Sequence, residues 1–132
     1  MGNDKFSNLY EKFPQLLPEK NIIECGDGLY QIIKEMFGAL KIYQDADLEK
    51  LNFFPVIFNS IKVKYGGLQV EYSGGDEIIK HIVEITKQLS FKTCEMCGGK
   101  GSLYCSTKWM HWSHKKTLCN KHAVHLFYYT IT

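Results

Sequence analysis

Apolar residues in this chain fall into three helical rhythms and one strict alternation. Over Asp4 to Phe13, Phe6, Leu9, Tyr10 and Phe13 recur at helical spacing and predict a short amphipathic helix that docks on a core. Pro14 can start a further turn, and Pro18 ends it. The second and strongest rhythm predicts a helix over about 28–44, with Leu29, Ile33, Met36, Leu40 and Tyr43 on one stripe. The third, over 76–90, puts Ile78, Ile82, Ile85 and Leu89 on a buried seam with Ile79 and Val83 beside it. Ser73-Gly74-Gly75-Asp76 supplies its cap. Glu77, Lys80, His81, Glu84 and Lys87 are left for its wet face.

Between the second and third helices the period changes to two. Residues 61–72 alternate about Gly66-Gly67 and predict a β-hairpin. A turn centred on those glycines sets Tyr65 opposite Leu68, Val63 opposite Val70 and Ile61 opposite Tyr72. On the other face Lys64 meets Gln69 and Lys62 meets Glu71. Phe53-Phe54-Pro55 begins an extended approach to this hairpin. These elements predict an α+β domain over 1–90, with helices packed on a small antiparallel hairpin or sheet.

Beyond residue 90 the amphipathic pattern gives way to a different signal. Cys94-Glu95-Met96-Cys97 and Cys119-Asn120-Lys121-His122 form a Cys-x-x-Cys and a Cys-x-x-His pair, separated by 21 residues. Three thiolates and an imidazole are a ligand set for one tetrahedral, structural Zn²⁺. Gly98-Gly99 gives the backbone room to turn under a metal. Five cysteines, an odd number, argue against a closed disulfide framework. His111, His114, His125 and Cys105 lie close enough in sequence to substitute as ligands, but read as surface histidines and a packed thiol. Cys25 has no histidine within fifty residues to make it a nucleophile. A knuckle, a ribbon and a helix start near Cys119 predict a treble-clef-like zinc lobe over 91–132. Val124 to Ile131 are strongly apolar and are expected to pack back on the core.

Charge sharpens this division. Residues 91–132 carry six lysines and one acid, +5, against ten lysines and thirteen acids over 1–90, −3, and there is no arginine. Lysines can follow phosphates as point charges, but the planar fork that reads guanine is missing. Lys108, Trp109, Trp112, Lys115, Lys116 and Lys121 form a basic, aromatic contact candidate for a partner protein or a nucleic acid. A second candidate is Gly26-Asp27-Gly28 at the start of the second helix. There Asp27 reads as an N-cap, and the competing reading is an anion site for a small signal molecule. An enzymatic reading lacks its parts. His111, His114 and His125 invite comparison with HNH-type nucleases, but no aspartate follows Asp76 to help position a second metal. Met1 to Lys5 are polar and no apolar run approaches a membrane span, so a cytoplasmic protein is expected.

In order along the chain stand Phe13-Pro14-Gln15-Leu16-Leu17, Cys25 to Gly28, Val63 to Leu68, and the Cys94 to His122 module. This succession resembles a family of small phage and prophage proteins that share a Cys-Gly-Asp-Gly turn, a Val-Lys-x-Lys-aromatic-Gly-x-Leu hairpin and a C-terminal zinc module. Leu29 departs from the pattern, which has tryptophan there. The resemblance implies a viral gene product in the cytoplasm of a bacterial host, without implying a reaction. The expectation is a non-enzymatic, zinc-stabilised protein that binds a host defence or regulatory factor. Nucleic-acid binding by the lobe and capture of a small anion stand as alternatives.

Overall fold

The structure is a computed structural model, and it describes residues 5–46, 55–106, 115–125 and 128–130. The fold is α+β. Its elements in order are α1 (Ser7–Lys12), β1 (Ile23–Glu24), a 3-10 turn (Asp27–Leu29), α2 (Tyr30–Ala46), β2 (Ile57–Lys64), β3 (Gly67–Ser73), α3 (Glu77–Ser90), β4 (Ser102–Ser106), β5 (Lys115–Leu118), α4 (Asn120–His125) and β6 (Tyr128–Thr130). No helix among the described residues is long and apolar enough to cross a membrane.

The first sheet has the order β1-β2-β3, with β1 parallel to β2 and β2 antiparallel to β3. The short parallel strand is absent from the sequence pattern. It is held from outside its own two residues: Ile61 N–H donates to Ile22 O at 2.9 Å and Ile23 N–H to the Tyr10 hydroxyl at 2.8 Å. Helices α2 and α3 pack on each other, and α3 packs on β3. An aromatic chain runs through the core. Phe13 meets Phe37, Phe37 meets Phe58 and Phe58 meets Tyr72, with centroids 5.2–5.8 Å apart. Around it Leu9, Leu29, Ile33, Met36, Leu40 and Ile61 are fully buried, so the expected α1 and α2 faces point inward.

The hairpin forms, but its register differs from the expected one. Lys64 pairs with Gly67, Val63 with Leu68, Lys62 with Gln69 and Ile61 with Val70. The loop is therefore Tyr65-Gly66, with φ of 55° and 86°, a left-handed pair suited to a two-residue hairpin turn. The shift is two residues along one strand, so every side chain keeps its face while the expected Lys62–Glu71 pair is lost. A bulge between Phe58 and Ser60 then turns Phe58 to the same face as Ile61.

Helix α3 also corrects the expectation. Asp76 caps it, accepting from Ile78 N–H and Ile79 N–H at 3.1 and 3.2 Å. Its buried side is Ile79, Val83, Thr86 and Ser90, whereas Ile78, Ile85 and Leu89 are 52%, 50% and 43% exposed. The apolar arc of this helix is wider than the surface beneath it. Two small polar residues can face inward because their hydroxyls are satisfied. Thr86 donates to Ile82 O, while Ser90 donates to Lys87 O and accepts from Leu68 N–H at 2.9 Å.

The second sheet has the order β5-β4-β6, all antiparallel. It belongs to the C-terminal lobe. The last residues do not all return to the main core as expected. Val124 is exposed, and Tyr128–Thr130 extend this sheet by pairing with β4.

Candidate metal centre

The knuckle is shaped by its own backbone. Cys94 N–H donates to Gly99 O at 2.7 Å, Gly98 N–H donates to Cys94 O at 2.8 Å, and Thr93 bridges Lys100. Gly98 takes φ 83°, a conformation that glycine adopts without strain. Across from it, β5 delivers Cys119 and α4 starts one residue later. Ala123 N–H closes the first turn on Cys119 O at 2.9 Å, and this turn swings His122 beside Cys119. Knuckle, hairpin and helix form a treble-clef arrangement.

The four side chains expected as ligands come together. The ligand atoms of Cys94, Cys97, Cys119 and His122 all lie within 4.8 Å of one another. Cys97 Sγ is 3.8 Å from Cys119 Sγ, and His122 Nδ1 is 3.6 Å from Cys94 Sγ and 3.2 Å from Cys119 Sγ. A tetrahedron with metal–sulfur bonds of about 2.3 Å and a metal–nitrogen bond of about 2.0 Å has edges of roughly 3.8 and 3.5 Å. The donor set therefore fits one metal ion. All five cysteines are free of disulfides. Burial would raise the Cys94 thiol, but the backbone amides of Cys119, Cys97 and Met96 outweigh it and bring it down to about 6. That environment favours the thiolate a metal needs.

The Gly26-Asp27-Gly28 candidate takes a different role from either one expected. Asp27 is not the cap: Gly26 holds that position without a side-chain bond, and Asp27 is the first residue of the 3-10 turn. Nor is the turn's amide open to an anion, because Gly28 N–H donates to Glu95 O at 3.0 Å. A Cβ on Gly26 would stand 2.3 Å from Glu95 O, and one on Gly28 would stand 2.2 Å from Cys94 O. The two glycines are a socket for the knuckle. Sequence reading missed this because the knuckle is nearly seventy residues away. Cys25 beside it is inert at neutral pH, its thiol pushed up to about 12 by burial, with Glu95 and Asp27 adding to the shift.

Thr117 and Glu95 complete the seam between core and lobe. Glu95 N–H donates to Thr117 O at 3.0 Å, and the buried Thr117 hydroxyl donates to Gly66 O at 2.6 Å. Lys116 Nζ reaches Glu95 Oε2 at 3.2 Å. The one signal for Glu95 in the sequence is its isolation as the single acid of residues 91–132. Of the contact candidates, Lys115 and Lys116 lie on β5 and Lys121 is exposed on α4, while Lys108, Trp109 and Trp112 lie outside the described residues. His111 and His114 also lie outside them.

No protein-family model, curated protein or solved structure matches this chain.

Proposed function

We propose that this chain is a non-enzymatic, zinc-stabilised binding protein of phage or prophage origin. Its partner is a protein of the bacterial host cytoplasm, such as a defence or regulatory factor. The observation that carries the reading is the pairing of a metal site whose four positions are all protein ligands with an apolar stripe turned to solvent on α3. A closed four-ligand zinc site builds structure and leaves no position for a reacting water. Ile78, Ile85 and Leu89, on a helix whose other face is already packed, supply the exposed apolar surface that marks a protein contact. Zinc is the metal that the three-thiolate, one-imidazole set suits best.

Affinity capture from host lysate with the zinc-loaded protein tests this. A partner retained by the wild type and lost with Ile85→Glu, at unchanged Tm and zinc content, supports it. A partner retained equally by both, or none retained, overturns it.

A second reading is nucleic-acid binding by the lobe, favoured by Lys115 and Lys116 side by side on β5 with Lys121 exposed nearby in sequence. Binding that weakens steeply with salt in DNA and RNA shift assays supports it. Salt-independent or absent binding ends it.

A further inference from the structure

Helix α3 carries two seams of the same spacing. Its packed side is Ile79, Val83, Thr86 and Ser90, at intervals of four, three and four residues. One position before each stand Ile78, Ile82, Ile85 and Leu89, with the same intervals on a neighbouring face. The more apolar of the two seams is the one turned outward. Ile78, Ile85 and Leu89 are exposed and Ile82 is only partly buried, while the inward seam spends two of its places on Thr86 and Ser90. An apolar stripe confined to this spacing is the seam of a helix pair. The intervals read the same in both directions. A reversed copy of α3 therefore matches it, with Ile78 opposite Leu89 and Ile82 opposite Ile85.

The charges on the rim fit that reversed arrangement. Glu77 stands at the start of the seam and Lys92 just past its end, where Lys92 N–H donates to Leu89 O at 3.0 Å and continues the turn beyond Ser90. Both are exposed, and neither enters an ion pair among the described residues. Reversal brings Glu77 of each copy to the level of Lys92 of the other, and it opposes the two helix dipoles. Glu84, the acid nearest the middle of the seam, is held on its own helix by Gln88 at 2.9 Å and Lys87 at 3.8 Å.

We infer that α3 pairs with α3 of a second copy, antiparallel about a two-fold axis between Ile82 and Ile85. The inference rests on reading this stripe as a protein contact, and it names the occupant in the isolated protein. Four residues from each copy fall well short of a standard interface, so the pair is micromolar or weaker and gives way to a host protein that binds the stripe more tightly.

Sedimentation of the zinc-loaded full chain from micromolar to about millimolar concentration tests this. A monomer–dimer equilibrium that stops at the dimer is expected. Ile85→Glu sets two carboxylates at the axis and should weaken the pair roughly tenfold or more at unchanged Tm and zinc content. Val124→Glu, at an exposed apolar residue of the lobe, should leave it unchanged. Glu77→Lys and Lys92→Glu should each weaken it about threefold, and the double variant should restore it. Damage to the fold by either substitution cannot imitate that restoration. A monomer throughout overturns the pair, as does association that continues past the dimer, a dimer indifferent to Ile85→Glu, or a double variant no better than the singles. Host capture is scored separately. A monomer that retains a host protein through Ile85 sinks the pair alone, and a dimer that retains none supports the pair while sinking the host reading.

Discussion

The main core and the C-terminal lobe solve the same problem by different means. Among the described residues the core buries seventeen apolar side chains in one cluster, including four phenylalanines, around the β1-β2-β3 sheet. Among the described residues the lobe's cluster has four buried members, Cys94, Tyr104, Leu118 and Ala123, and one of those belongs to the four-residue group that could hold a metal ion. Four buried residues do not by themselves offset the entropy of ordering a chain segment. Four side chains placed to hold one ion are a second source of stability for such a segment. Among the described residues, packing in the first region is spread over many side chains, whereas the second gathers its side chains about one candidate metal site.

Metal removal should expose this contrast most strongly, since structural zinc contributes on the order of 10 kcal/mol or more to folding. Hydrogen exchange after chelation should show the amides of Cys94, Gly98 and Ala123 losing protection while Ile61 keeps its own. Gly28 should follow the lobe, because its amide donates to Glu95 O. A lobe that stays protected without metal would erase the distinction. The mirror experiment is Phe58→Ala, which empties the centre of the aromatic chain and should cost about 3–5 kcal/mol. Denaturant unfolding should fall by that amount while zinc stoichiometry stays at one. Loss of zinc in this variant would mean that the two regions are not separable.

Gly28→Ala tests the seam. The added methyl would meet backbone atoms of Cys94, Glu95 and Gly98 at 2.2–2.7 Å. Overpacking of this kind costs about 1–3 kcal/mol, and here zinc affinity should fall along with stability. Unchanged zinc affinity would show that core and lobe merely touch. The smallest expected effect is local to α3. The hydrogen bond from the Tyr43 hydroxyl, joined by the amides of Ile79 and Ile78, holds the Asp76 carboxyl below its ordinary value. A depressed native pKa contributes stability above the ordinary carboxylate value and loses it as the pH falls through the native one. Asp76→Ala should therefore lower Tm by a few degrees at neutral pH, and the difference from wild type should shrink in acid. A constant difference across that range would remove the charge from the explanation.

Much of this architecture was legible in the residue order. The Cys-x-x-Cys and Cys-x-x-His pairs located the ligands because each pair sits on a local turn whose geometry its own few residues dictate. The inward stripes of α1 and α2, and the Asp76 cap, were readable for the same reason. The hairpin was visible, but its register was not. Gly66-Gly67 looked like the turn, and pairing Lys64 with Gly67 instead required Tyr65 to accept a left-handed backbone. On α3 the apolar arc was plain while the direction of the core was not. Ile78 and Ile79 are equally hydrophobic, and only the position of α2 and β3 selects Ile79.

Residue order alone determined the main helices, the hairpin and which four side chains can hold an ion, since those outcomes depend on neighbours within a few positions. Tertiary structure decided what those segments face. It made Gly26 and Gly28 a socket, joined Thr117 to the hairpin turn and gathered Lys64, Tyr65 and Glu95 around one pocket. Each of these joins residues some thirty to seventy positions apart, and such contacts exist only once the chain has folded back on itself.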